Sequence, residues 1–178
     1  GNMNYNMIRK YPINNWKAAG ILFFEIIKGE VYFILHKGYT HLKSDGLSDF
    51  GGGREEHEDW FTTAAREWAK ETGGKCLPLK SYANQNIDKI KHNTIIMKSY
   101  LKFYDKYMYI HHSKYVLFVI PFVGLIPLGG KNIDKDINNI IMKVRLDKLQ
   151  NIDLHPRISN MSYMALHFYL KRYEKIDI

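Results

Sequence analysis

The hydrophobic positions of this chain form continuous apolar runs in some segments and follow a helical period in others. Residues 18–27 (AAGILFFEII) are nearly all apolar, which predicts a strand buried on both faces. Lys28-Gly29-Glu30 supplies a tight turn, and residues 31–36 form the returning strand of a hairpin. Further apolar runs predict strands over residues 115–123 and 140–144. The chain therefore begins with a hairpin and adds more strands later.

A helix is predicted over residues 59–72, because its apolar residues fall on one stripe at spacings of three and four. Gly73 is well placed as the residue past its end. Before the helix, Leu47–Phe50 is short and extended and leads into the glycine run Gly51–Gly53. Three glycines are costly inside a strand and suit a sharp turn or a close approach to a ligand. The stripe consists of Phe61, Ala64, Ala65, Trp68 and Thr72.

The rest of the chain has both strand-like and helical patterns of apolar residues. Leu77–Leu79 and Ile95–Tyr104 are predicted strands, and residues 158–173 have the helical spacing of a closing helix. The aromatic and basic stretch from Tyr100 to Tyr115 suits either an ordinary solvated hairpin or a surface that stacks bases and holds phosphates. Strands combined with a central and a final helix predict an α+β or α/β sandwich, and no repeat or linker divides residues 1–178.

Composition narrows the function classes. Lysine and arginine outnumber aspartate and glutamate by 26 to 18, which gives a net charge of +8. This charge suits polyanionic partners, and a merely soluble basic surface explains it equally well. Cys76 is the single cysteine, which excludes an internal disulfide framework and predicts a reducing, cytoplasmic setting. No apolar run reaches the roughly 18 residues of a membrane span, and the first residues do not resemble a signal peptide. The eight histidines have no zinc-type spacing and are interpreted as surface or strand residues.

Candidate chemistry lies in the helix that follows the glycines. Glu67 and Glu71 are four positions apart, so both carboxylates point to one side, with Thr63 one turn earlier. Such a pair is usually a solvated helix face, but directly after a glycine run it forms a hard-oxygen site suited to Mg²⁺ or Mn²⁺. An ion held there bridges phosphate oxygens and neutralises charge in a phosphoryl transition state.

This segment resembles the signature of the Nudix hydrolases. Gly52 is followed, after five intervening residues, by Glu58, and after seven more by Arg66-Glu67-Trp68-Ala69-Lys70-Glu71-Thr72-Gly73-Gly74. The spacing holds without a gap, and a match at so many fixed positions is specific. Matching positions are Gly52, Glu58, Arg66, Glu67, Trp68, Glu71 and Gly73.

The resemblance implies an α/β/α sandwich with a mixed sheet, and it implies roles for the residues of the motif. Gly51 or Gly52 offers a backbone carbonyl to the metal. Glu71 is a metal ligand, and Glu67 is a ligand or the base that orients the attacking water. Arg66 and Glu58 pair and hold the loop against the helix.

Two positions depart from the family pattern. Lys70 stands where the family has a glutamate, and Gly74 replaces an apolar residue. A cation 4 Å from the metal opposes binding by about 4 kcal/mol per unit of metal charge at an effective dielectric near 20, and by less with solvent screening. Lys70 either contacts substrate phosphate, as Arg54 does in this hypothesis, or leaves the site weak or inactive. A later loop often adds an acid in this family, and Asp136 is the candidate.

The resemblance implies a Mg²⁺- or Mn²⁺-dependent pyrophosphohydrolase that cleaves the phosphoanhydride of a nucleoside diphosphate linked to another group. The basic surface suits capped RNA, a dinucleoside polyphosphate or a diphosphoinositol phosphate. Partners are then a phosphorylated small molecule or RNA, with no membrane, and a homodimer stays open. The alternative is a Nudix-fold module with weak or no catalysis that binds RNA or a nucleotide.

Overall fold

The computed structural model describes residues 15–37, 46–72, 87–122 and 141–178. Several predictions fall outside these ranges: the short strand at Leu77–Leu79, the helix-ending Gly73, and the candidate ligand Asp136. The described part is sufficient to trace the sheet and the helix that carries Glu67 and Glu71.

The chain order of the elements follows the predicted one in its first half. The strands are β1 (Ala18–Ile27), β2 (Glu30–Lys37), β3 (Leu47–Ser48), β4 (Phe50–Gly53), β5 (Met108–Ile110), β6 (Tyr115–Pro121) and β7 (Ile141–Arg145). The helices are α1 (Trp60–Thr72), α2 (Ile87–Tyr104), α3 (Pro156–Ser159) and α4 (Tyr163–Tyr173), and a 3-10 helix spans Leu146–Asn151. The hairpin β1–β2, helix α1 and the strands β6 and β7 are confirmed predictions.

Strand β1 is the centre of the sheet. One edge pairs antiparallel with two partners in succession, β4 along Ala18–Ile21 and β2 along Phe23–Ile27. The other edge pairs in parallel with β6, which continues antiparallel to β5. Strand β1 changes partner at Leu22, so β4 and β2 separate at this point of the sheet.

Both faces of the sheet are covered. Helices α1 and α2 pack on one face, where Trp68, Met97 and Leu101 join Ile21 and Phe118 in a buried cluster. On the other face, α3 and α4 contribute Ile158, Ala165, Leu166, Tyr169 and Leu170 to a second cluster with Leu22, Phe33 and Leu117. The predicted α+β sandwich with α/β/α layers and a mixed sheet is confirmed. None of the helices within the described ranges has the length and apolarity that a membrane crossing needs.

Three predictions about individual elements are wrong. Ile95–Tyr104 is the second half of helix α2, not a strand. The glycines Gly51–Gly53 continue β4 in register with β1, so they are strand residues and not a turn. The closing helix is divided into α3 and α4, because Ser162 starts a new helix by accepting a hydrogen bond from the Ala165 amide.

The start of α1 is fixed by Asp59. Its Oδ1 accepts hydrogen bonds from the Thr62 amide and hydroxyl, both at 2.7 Å, which is the geometry of an N-terminal cap. Burial raises the pKa of Asp59, but these hydrogen bonds and the charges of Lys98 and Lys102 outweigh it and lower the pKa below 3.8. The ionised carboxylate therefore stabilises the fold.

We expect Asp59→Ala to lower the free energy of unfolding by about 1 kcal/mol at pH 7. Because the folded pKa is depressed, this stabilisation is present above pH 3.8 and is lost as the pH falls through the folded value. Urea unfolding at pH 7 and pH 3 measures the difference, which should shrink at pH 3. Asp59→Asn keeps the acceptor and is the control; an equal loss in both variants would contradict a capping role.

Candidate active site

Arg66 ties the loop before α1 to the helix. Its Nε donates to Glu58 Oε2 at 2.8 Å, and its Nη2 donates to Glu58 Oε1 at 3.0 Å and to the Gly53 carbonyl at 2.8 Å. Glu58 Oε1 also accepts from the Thr63 hydroxyl and the Glu55 amide. Burial opposes ionisation, but these donors lower the pKa of Glu58 below its ordinary value. The Arg66–Glu58 pair implied by the motif is thus present, and it joins the end of β4 to α1.

Glu67 lies directly against the glycine strand. A Cβ atom on Gly52 would lie 2.5 Å from the Glu67 carboxyl carbon, closer than real Cβ contacts occur. Arg66 Nη1 donates to Glu67 Oε1 at 2.7 Å and holds the carboxylate in this position. Glycine at position 52 leaves open the space that the Glu67 carboxylate occupies, so the close approach seen here is to Glu67, and an approach to a ligand stays a prediction.

Glu71 lies deeper, and its side chain is only 11% exposed. His36 Nε2 is 3.2 Å from Glu71 Oε2, but His36 Nε2 is also 2.9 Å from the Asp49 carbonyl, which can only accept a hydrogen bond. Oε2 itself has no hydrogen bond within the described residues. Burial raises the pKa of Glu71, partly offset by His36 and Arg157. A buried carboxylate oxygen without a donor is costly unless a cation joins it.

The two cations proposed to contact substrate lie at the edge of this site. Lys70 Nζ is 3.6 Å from Glu67 Oε1, and its side chain is 44% exposed. The Arg54 guanidinium stacks on the Trp16 ring, 4.3 Å from its centroid, beside the Gly53 end of β4. Lys70 therefore approaches Glu67, whereas Arg54 is directed to an aromatic ring.

The oxygen atoms of this site suit a hard divalent cation. Glu67 and Glu71 supply carboxylate oxygens. A cation would satisfy the Glu71 oxygen that accepts no hydrogen bond within the described residues. Within residues 15–37, 46–72, 87–122 and 141–178, no three His, Cys, Asp or Glu side chains converge as a metal cluster. Backbone carbonyls of Gly51 and Gly52 stay a prediction as ligands, and Asp136 lies outside the described residues.

A buried polar group behind the site was not predicted. Asp49 is fully buried in the break between β3 and β4, and its carboxylate accepts hydrogen bonds from Tyr115 (2.5 Å), Ser48 (3.0 Å) and Arg157 (3.0 Å). The sequence gives one weak signal, an aspartate separated from the glycine run by Phe50 alone. His36 is a strand residue as expected, but it is buried and lies beside Glu71.

Comparison with known proteins gives similarities at the level of the backbone. Neither a family model nor a curated protein matches this sequence. Among solved structures, the chain is similar to a Nudix hydrolase from M. smegmatis, RenU, with 17% identity and a TM-score of 0.48 over 90% of this chain and 88% of that chain. A mutT/nudix family protein from Listeria innocua has 12% identity and a TM-score of 0.49 over 94% of this chain and all of that one. The C. elegans Ap4A hydrolase has 13% identity and a TM-score of 0.40 over 89% and 94%.

Proposed function

We propose that this chain is a Nudix-family hydrolase that uses Mg²⁺ or Mn²⁺ to cleave the phosphoanhydride of a nucleoside diphosphate linked to another group. One observation carries the proposal. Glu67 lies against the backbone of Gly52, and Glu71, one turn further on, has a buried oxygen that accepts no hydrogen bond from the part of the chain that the structure describes. The spacing of the motif supports the same assignment.

In this proposal, Glu67 and Glu71 hold the ion, and Glu67 also orients the attacking water and accepts its proton. When bound, the ion neutralises charge on the phosphate oxygens during displacement. Arg66 keeps Glu67 in place through its 2.7 Å hydrogen bond, while its contacts with Glu58 and Gly53 fix the loop beside it. Lys70 and Arg54 are the proposed contacts for outer phosphates of the substrate.

The net charge of +8 supports a large polyanionic substrate: capped RNA, a dinucleoside polyphosphate or a diphosphoinositol phosphate. The test is phosphate or nucleotide release from a panel of these compounds with Mg²⁺, with Mn²⁺ and with EDTA. Metal-dependent turnover of one class is the expected result, and that class names the substrate. Turnover that persists in EDTA, or none with any compound, would overturn the proposal.

A second candidate function is a binding module for RNA or a nucleotide with weak or no catalysis. The observation that favours it is Lys70 Nζ at 3.6 Å from Glu67 Oε1, where the cation competes with a metal for the carboxylate. Binding of a short RNA measured from low to high salt tests this function. A steep loss of affinity with salt, without metal-dependent turnover, would favour it over the hydrolase.

Lys70→Glu tests whether this cation opposes metal binding. Removing the cation lowers repulsion of a divalent ion by about 1 kcal/mol after screening by water and salt, and the new carboxylate adds attraction of similar size. We expect Mn²⁺ affinity to rise roughly thirty-fold, measured by electron paramagnetic resonance of free Mn²⁺. Lys171→Glu, on the exposed side of α4, is the control for net charge. Equal affinities in the two variants would mean that Lys70 does not act at the metal.

A further inference from the structure

Asp49 is a junction between the two faces of the sheet. Its carbonyl oxygen lies 2.9 Å from His36 Nε2 and accepts a second hydrogen bond from Arg157 Nη2 at 3.0 Å. His36 stacks on Phe50, at 4.5 Å and 9°, on the face that α1 covers. Arg157 precedes Ile158, which is buried in the cluster on the opposite face. One backbone carbonyl thus connects a side chain beside Glu71 with a cation from the other layer.

Arg157 is held at this junction by hydrogen bonds from both its side chain and its backbone. Its side chain is 19% exposed, and its Nε donates to Asp49 Oδ1 at 3.0 Å while Nη2 reaches the carbonyl. The Arg157 carbonyl accepts from the Ser113 hydroxyl at 2.7 Å, and the Arg157 amide donates to His155 Nδ1 at 3.1 Å. A planar guanidinium that bonds two oxygens of one residue determines where that residue lies.

The proton on His36 follows from the same contacts. A carbonyl accepts but does not donate, so His36 Nε2 carries a hydrogen directed at Asp49. The ring is thereby oriented with Nε2 3.2 Å from Glu71 Oε2, where the polar N–H attracts the carboxylate electrostatically, and the ring also packs on Phe50 next to the glycine strand. If the Asp49 carbonyl moves, the ring and the carboxylate beside it lose their reference position.

We propose that Arg157 is a positioning residue for the candidate active site: through Asp49 and His36 it holds Glu71 in the orientation that binds the divalent ion. This inference rests on the proposed function. It extends the site beyond the Nudix-like motif to the short helix α3, on the far side of the sheet.

Arg157→Lys tests the proposal, because it keeps the charge but loses the fork that joins both oxygens of Asp49. Mn²⁺ affinity is measured by electron paramagnetic resonance, and kcat and KM are measured on the best substrate of the panel. We expect the Mn²⁺ Kd to rise at least five-fold and kcat to fall at least ten-fold, with KM changed less than three-fold. Both values are taken at a temperature where circular dichroism shows a folded protein.

The matched control is Tyr169→Phe, which removes a buried hydroxyl that donates to the Val119 carbonyl at 3.1 Å. This variant also loses a buried hydrogen bond and some stability, but it should keep the wild-type Mn²⁺ Kd and kcat. If Arg157→Lys does not fold, Arg157→Gln is measured in the same way with the same expectation. Wild-type Mn²⁺ affinity and kcat in the folded Arg157 variant would overturn the inference, as would equal losses in Tyr169→Phe.

Nuclear magnetic resonance separates this inference from the proposed function. In protein labelled with ¹⁵N-histidine and ¹³C-glutamate, His36→Gln and Glu71→Gln assign the His36 Nε2–H and Glu71 carboxyl signals. Arg157→Lys should shift both, and Tyr169→Phe should shift neither. If the wild type binds no Mn²⁺ and hydrolyses nothing, the proposed function fails; shifted signals would still support positioning of Glu71 by Arg157, and unchanged signals would refute it.

Discussion

Glu71→Gln is expected to lower kcat by about 10²- to 10³-fold while the protein stays folded. The amide keeps the shape of the side chain but is a far poorer ligand for a divalent ion, whose stabilisation of a phosphoryl transition state is worth several kcal/mol. Stability should be unchanged or higher, because burial disfavours the charged form of Glu71 and the amide carries no charge. Initial rates with Mn²⁺ and thermal unfolding without metal measure the two effects.

Glu56→Gln is the control for this loss. Glu56 lies in the same loop-and-helix segment, but its side chain is 87% exposed and its ion-pair partner is His57 at 3.3 Å. This variant should keep the wild-type kcat. A Glu71→Gln protein with wild-type turnover would remove Glu71 from the mechanism and with it the hydrolase proposal.

Gly51→Ala is expected to lower the free energy of unfolding by about 3–5 kcal/mol, the largest effect on stability that we predict. The added Cβ would lie 1.8 Å from the Tyr115 hydroxyl, 2.7 Å from Gly20 Cα and 2.8 Å from the Ala19 carbonyl oxygen. Two of these three atoms belong to the backbone of β1 and cannot rotate away. Displacing Tyr115 would also break its buried hydrogen bond with Asp49. Thermal unfolding should show a fall of roughly 10 °C.

Gly53→Ala is the adjacent control. Gly53 belongs to the same strand, but a Cβ there meets nothing within 4 Å. This variant should be neutral, or more stable by about 0.4–1 kcal/mol, because alanine restricts the unfolded chain. Equal losses in both variants would mean that glycine is needed for the conformation of β4 and not for the space occupied by Tyr115.

The fold was predictable where local pattern and final environment agree. Strands β1 and β6 are buried on both faces, so their continuous apolar runs identified them directly. The second half of helix α2 has the sequence pattern of a strand although it is helical. Its buried residues, Asn93, Met97 and Leu101, do repeat every four positions, but exposed apolar residues lie between them. Ile95 and Phe103 are exposed large hydrophobic side chains, and together they hide the helical period.

The site likewise has a part that the sequence predicts and a part that it does not. Glu58, Arg66, Glu67 and Glu71 lie within one loop and one helix, so their spacing alone placed their side chains near one another. Asp49 meets Tyr115 and Arg157 across 66 and 108 positions, and such contacts arise from the packing of layers. The glycine run predicts a sharp turn or a close approach to a ligand, but pairing with β1 makes it a strand, because the neighbouring backbone completes its hydrogen bonds.

The long separation between Asp49 and Arg157 also bears on the order in which the protein assembles. Contacts such as Arg66 to Gly53 close a segment of 13 positions and are favoured early in folding, whereas a contact across 108 positions carries a greater entropic cost. The carboxylate helix and its glycine strand can therefore form before α3 docks behind them. If Arg157 positions Glu71 as proposed, helical structure should return ahead of Mn²⁺ binding during refolding.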